Sequence, residues 1–95
     1  MRVHEAIAAA KQVIGELFAS EGIIDLNLEE VAYREQKNEW HVAISFLRPP
    51  AEKVSGALGN ALMSLRRSRK LVRLRANGEL IAVTDLVGSL TFAAA

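Results

Sequence analysis

The residues that could act in acid–base or metal chemistry are few and widely separated. The only histidines are His4, on a predicted helix, and His41, on a predicted strand, and the chain has no cysteine. Two isolated histidines without cysteine do not match the ligand spacing of a zinc site. Glu29 and Glu30 are adjacent carboxylates, but successive strand residues face opposite sides of a sheet unless a bulge turns them together. The sequence therefore predicts a protein that is not an enzyme and has no metal or cofactor.

Positive charge is concentrated in one segment. Residues 48–75 carry eight Lys or Arg against one acid (+7), whereas residues 1–47 carry four against eight (−4). The candidate contacts to a partner or to phosphates are six cations of this segment, which we call the basic junction: Arg66, Arg67, Arg69, Lys70, Arg73 and Arg75. Six cations in ten residues can follow a phosphate backbone, but no aromatic residue lies among them to stack on a base. A solvated strand face, or a charge partner for the acidic first half, is the favoured interpretation.

An amphipathic helix is predicted over residues 2–20. Apolar residues recur at spacings of three and four between Val3 and Phe18, which places them on one helical face. Gly22 follows the last of them and is typical of a helix end.

A first β-hairpin is predicted over residues 25–48. Residues 40–46 alternate between large apolar side chains and small or polar ones, as in a half-buried strand, and residues 36–39 supply a polar turn.

The first strand of this hairpin contains a conflict of parity. Leu26 and Leu28 face one side of a regular strand, whereas Val31 and Tyr33 face the other. Both pairs can reach one core only if the register slips, so we expect a bulge or break near residues 29–30.

A second hairpin is predicted over residues 69–87, around Asn77-Gly78. Asn-Gly is the preferred pair of a two-residue type I′ turn, in which both central residues have positive φ. The register that follows has these pairs: Ala76–Glu79, Arg75–Leu80, Leu74–Ile81, Arg73–Ala82, Val72–Val83, Leu71–Thr84 and Lys70–Asp85.

The segments outside these elements are less regular. Residues 49–68 form a linker or a weak helix, because their helical apolar spacing is interrupted by Gly56 and Gly59. Residues 88–95 form an apolar tail without a charge.

The predicted fold is α+β, a single domain of residues 1–95. The N-terminal helix packs on a four-stranded antiparallel sheet made of the two hairpins, and nine residues are expected to share the core: Ile7, Ile14, Leu17, Val42, Ile44, Val72, Leu74, Ile81 and Val83. The opposite sheet face is also apolar, which predicts a homodimer through a self-association face of Leu71, Leu80, Ala82 and Leu86.

Three resemblances accompany these patterns. The order helix, hairpin, hairpin resembles the cystatin-like grasp, and residues 70–84, with Gly78-Glu79 at the turn, resemble the closing hairpin of PepSY-type domains. The PepSY resemblance implies a mostly exported regulator or inhibitor of peptidases. The chain is also similar to small uncharacterised bacterial proteins with a Leu-Glu-Glu-Val strand, a Trp strand and an Arg-Arg-Ser-Arg-Lys junction, a likeness that implies no activity.

The expected location is the cytoplasm, and no membrane partner is expected. Glu5, Lys11 and Glu16 interrupt the apolar N-terminal residues, and no run approaches the ~20 apolar residues of a membrane span. The sequence favours a non-catalytic protein-interaction module, an accessory or immunity-type partner of another protein. The alternative is a nucleic-acid-binding accessory protein that uses residues 66–75.

Overall fold

The computed structural model describes residues 1–48, 67–88 and 90. Within them the chain forms one helix, a short 3-10 turn and four strands: α1 (Val3–Leu17), the turn Ala19–Glu21, β1 (Ile24–Arg34), β2 (Glu39–Leu47), β3 (Arg67–Arg75) and β4 (Leu80–Asp85). The predicted linker or weak helix lies outside the described residues apart from its last two positions, and so does the predicted tail apart from Gly88 and Leu90.

The four strands form one antiparallel sheet in the order β1-β2-β3-β4, with α1 packed on one side, which we call the helix face. The predicted α+β architecture is therefore confirmed. We call the opposite side the second face. Its residues on β2 are the odd-numbered ones from 39 to 47, which pair with the odd-numbered residues of β3.

α1 begins where the backbone N–H of Arg2 donates to Glu5 Oε1 at 2.8 Å. Its fully buried residues are Ala6, Ala10 and Ile14, each four positions after the previous one. Four residues turn the helix about 40° past one full turn, so this buried stripe winds slowly around the helix axis. The two alanines allow the helix to approach the sheet closely.

The stripe continues to Phe18, whose ring centroid lies 5.2 Å from that of Phe46. Leu17 is consequently turned about 100° from the contact and is 55 % exposed, so its predicted core position is wrong. Ile7, Ile81 and Val83 are half-buried, and the other five predicted core residues are fully buried.

The predicted bulge in β1 is confirmed. The ladder pairs Leu28 with Ile44 and Glu30 with Ala43, which leaves Glu29 as the extra residue. Leu26 before the bulge and Val31 after it consequently both pack against the helix-face core, as the parity conflict required, whereas Leu28 and Tyr33 are exposed.

The turn of the first hairpin lies one residue earlier than expected. Arg34 pairs with Glu39, so the turn consists of residues 35–38, and Asn38 closes it with φ of 54°. Asparagine tolerates this left-handed conformation better than most residues.

The predicted type I′ turn of the second hairpin is wrong. Gly78 has φ of 95°, but Asn77 is not among the residues with positive φ. Gly78 N donates to Arg75 O and Arg75 N donates to Glu79 O, both at 2.8 Å, which defines a three-residue loop over residues 76–78. This is a type I turn followed by a glycine bulge, which needs positive φ only at the glycine.

The longer loop changes the register beside it. Leu74 pairs with Leu80 instead of Ile81, and a register shift then leaves Ile81 as an extra residue in β4. From Arg73–Ala82 to Lys70–Asp85 the predicted pairs are confirmed.

Candidate functional site

The basic junction lies on β3, except Arg66, which is outside the described residues. Four of its arginines, at positions 67, 69, 73 and 75, share the second face, whereas Lys70 pairs with Ile44 and lies on the helix face. The junction is therefore divided between the two sides of the sheet.

Arg67 is bound by the start of β1. Its Nη1 donates to Asp25 Oδ2 at 2.8 Å, its Nη2 to the Asp25 carbonyl at 3.1 Å, and its Nε to Ser45 Oγ at 2.9 Å. Asp25 lies within the register shift between Ile24 and Asn27 and has φ of 55°, so the irregular start of β1 places its Oδ2 and its carbonyl oxygen against the guanidinium.

Lys70 binds Asp85 on β4, its partner in the ladder. This hydrogen bond and charge hold the pKa of the Asp85 carboxyl below its ordinary value. Lys70 Nζ also lies 5.4 Å from the ring centroid of Phe18, just beyond the end of α1. A cation over an aromatic ring at this distance makes a favourable cation–π contact.

Glu39 lies at the centre of a polar cluster on the second face. Its Oε1 accepts from Arg73 Nε at 3.0 Å and faces His41 Nε2 at 3.2 Å. The Glu39 side chain is only 12 % exposed. Burial alone would raise the pKa of Glu39, but the hydrogen bonds from Arg73 and His41 outweigh it, and the pKa lies below its ordinary value.

His41 is the buried member of this cluster, with 8 % of the residue exposed. Burial lowers the pKa of His41, and the positive charges of Arg34 on β1 and Arg73 on β3 lower it further, against the opposing effect of Glu39. His41 is therefore held in its neutral form near pH 7.

The last two arginines of the junction are less tightly held. Arg75 Nε lies 3.8 Å from Glu79 Oε1 across the hairpin loop, and both side chains are mostly exposed. Arg69 is half-buried beside Ser45 in the ladder and has no acidic partner among residues 1–48, 67–88 and 90.

The self-association face predicted from the sequence is not continuous. Leu71 and Leu86 are 9 % and 7 % exposed because they belong to a buried cluster within the chain. Leu80 pairs with Leu74 and so lies on the side of the helix face, which leaves half-buried Ala82 as the only one of the four that is on the second face and outside this cluster. The bulge at Ile81 causes this change of side.

The cluster on the second face is completed by Leu90, which sequence reasoning did not single out. Leu90 is 2 % exposed and packs with Ala43, Leu71 and Leu86, next to Ala32. In the sequence, only the lack of charge in residues 87–95 indicated that this segment is covered. That composition does not show which of its residues packs on the sheet, or at which position.

The backbone of Leu90 is bound from β1. Leu90 N donates to Glu30 Oε1 at 3.2 Å, and Arg34 Nη2 donates to Leu90 O at 2.9 Å. We call Glu30, Arg34 and the four apolar side chains around Leu90 the Leu90 site.

Two further features are absent from the described part of the chain. It contains no group of three potential metal ligands and no helix long and apolar enough to cross a membrane. Comparison with protein-family models, curated proteins and solved structures found no match to this chain. The likeness to cystatin-like and PepSY-type domains stays a prediction.

Proposed function

We propose that the protein is a non-catalytic protein-interaction module, an accessory or immunity-type partner of another protein. His41 and Ser45, both on the second face of β2, are four residues and so about 13 Å apart along the strand. Ser45 Oγ accepts from Arg67, and His41 faces Glu39. This arrangement supports a structural role for both side chains.

The observation that carries the proposal is the internal pairing of the basic junction. Arg67, Lys70 and Arg73 are bound to Asp25, Asp85 and Glu39, and Arg75 lies beside Glu79. A carboxylate beside a cation offsets its charge, so a paired cation attracts a phosphate less strongly than an unpaired one. The pairing favours a protein partner over the nucleic-acid alternative.

Exposed apolar side chains offer such a partner a contact area. Leu80 on β4 is 43 % exposed, and Val87, just after β4, is 90 % exposed. β4 is an edge strand, and α1 packs mainly on the other three strands. Leu80 begins this six-residue strand and Val87 follows its end, so the two side chains offer a partner contact points at both ends of the open edge.

Site-specific photo-crosslinking tests the proposal in the cells that make the protein. A photoreactive residue at position 80 or 87 is expected to give a discrete, nuclease-resistant protein adduct, whereas the same residue at exposed Gln12 on α1 is not. The partner identified from the adduct, once purified, should bind the Leu80→Asp variant at least tenfold more weakly than the unmodified chain.

Adducts that nuclease removes would contradict the proposal and favour the nucleic-acid alternative, and so would a purified partner that fails to bind. We include the cytoplasm as the location, which cell fractionation tests. The predicted homodimer is not part of this proposal, because the four residues of its predicted contact face do not form a continuous surface. Sedimentation measures the oligomeric state independently.

A further inference from the structure

The Leu90 site has the form of a peptide-recognition site. Glu30, Ala32 and Arg34 lie in alternate positions of β1, so all three side chains emerge on the second face. Glu30 and Arg34 start about 13 Å apart on the strand, yet their long side chains converge on the backbone of one residue.

The space for the bound side chain comes from small residues. Ala32 on β1 and Ala43 on β2 have short side chains, and Leu71 and Leu86 belong to the same cluster. We infer that the short side chains leave the space that Leu90 occupies, and we call this space the depression. The side chain of Leu90 fills the depression and is almost completely buried. Longer residues at positions 32 and 43 would occupy this volume themselves.

The contacts made by this site are general rather than particular to Leu90. A carboxylate binds a backbone N–H, a guanidinium binds a backbone carbonyl, and an apolar depression takes an aliphatic side chain. Any segment with a leucine-sized side chain and a free N–H at that residue presents the same groups, whereas proline cannot supply the N–H.

Building on the proposed function, we propose that this site binds a segment of a partner protein. The segment carries a leucine-sized aliphatic residue, uncharged and not proline, and Leu90 occupies the site in cis until the partner displaces it. Tethering keeps Leu90 at an effective concentration of about millimolar, so the partner segment must compete against it.

A peptide with the sequence of residues 86–95 is the probe, added to the full-length chain with Leu90→Ala. Binding is followed by the methyl NMR signals of Ala43 and Leu71, which line the depression. The variant is expected to bind the peptide at least tenfold more tightly than the unmodified chain, because its own tail no longer fills the depression.

Two matched controls read the backbone contacts. A peptide methylated on the nitrogen that corresponds to Leu90 N loses the donor to Glu30, and Arg34→Met in the Leu90→Ala chain removes the donor to the carbonyl. Each is expected to weaken binding by about tenfold, which is one charge-assisted hydrogen bond. If Leu90→Ala does not fold, Leu90→Val is the substitute, because valine keeps the depression partly filled. Its affinity for the peptide is expected to lie between that of the unmodified chain and the tenfold higher affinity expected for Leu90→Ala.

Absence of methyl shifts in both variants at 1 mM peptide (about the effective concentration of the tether) would overturn the proposal. A dimer in which the Leu90 of one copy fills the depression of the other would also overturn it, because the occupant would then be a second copy. Photo-crosslinking at positions 80 and 87 does not depend on this site. Failure of peptide binding with a retained crosslink would therefore reject the Leu90 site alone.

Discussion

Arg73 approaches Glu39 Oε1 with Nε at 3.0 Å and with Nη2 at 2.9 Å. The same oxygen faces His41 Nε2 at 3.2 Å, so one carboxylate oxygen receives three polar groups from two strands. Through this oxygen the acidic first half of the chain binds a cation of the basic junction. The same contact involves His41, whose protonation depends on pH.

We predict no measurable binding of random duplex or single-stranded nucleic acid at physiological salt, because the cations of the junction are largely paired within the chain. The double variant Asp25→Asn, Glu39→Gln releases Arg67 and Arg73 and should bind more tightly, with a salt slope steeper by about 0.7–0.9 for each additional phosphate that it neutralises. Fluorescence anisotropy against salt measures both. A micromolar, salt-sensitive complex of the unmodified chain, lost when Arg66, Arg67 and Arg69 are all replaced by Ala, would instead establish the nucleic-acid alternative.

Stability is expected to decrease as the pH falls below about 6.5. The folded chain lowers the pKa of His41, so the unfolded chain binds the proton first and acidification favours unfolding. Melting temperatures between pH 7 and 5 measure this loss. His41→Gln cannot titrate and should show a flatter dependence over the same range. A variant with the slope of the unmodified chain would show that His41 is not responsible.

Ile14→Ala should lower the free energy of unfolding by about 2–5 kcal/mol, because Ile14 is fully buried against the sheet. Leu17→Ala is the matched control on the same helix and should change it by less than about 1 kcal/mol, since Leu17 is 55 % exposed. Chemical denaturation of both variants provides the comparison. Equal losses would mean that the helix packs through a different stripe.

Two glycine-to-alanine substitutions should have opposite signs. Gly78→Ala should destabilise the chain by about 1–2 kcal/mol, because its φ of 95° strains any residue with a Cβ. Gly15→Ala should stabilise it by about 0.5–1 kcal/mol, since Gly15 lies in α1 with open space around the new Cβ. Thermal unfolding measures both, and a stable Gly78→Ala variant would contradict the glycine-bulge turn.

Local pattern predicted much of this architecture. The spacing of residues 3–18 and the alternation of residues 40–46 reflect the periods of helix and strand, which depend on neighbours only. The parity conflict between Leu28 and Val31 also marked the β1 bulge, because side chains on both sides had to reach one core. The predicted turn type at Gly78 was wrong because two types of turn accept Asn-Gly. Which type forms becomes visible only in the pairing of β4 with β3, which the local sequence does not show.

The candidate site was accessible from the sequence only in part. The basic junction was visible as composition, but its partners Asp25 and Glu39 are 42 and 34 residues away from Arg67 and Arg73. Likewise, Leu90 reaches Glu30 across 60 residues. The sequence by itself determined the elements, the faces they bury and the uneven charge, because these follow from residue type and short-range spacing. Only the tertiary structure decided which charges are paired and which apolar face is covered, because strand order and bulges bring together side chains that no local pattern relates.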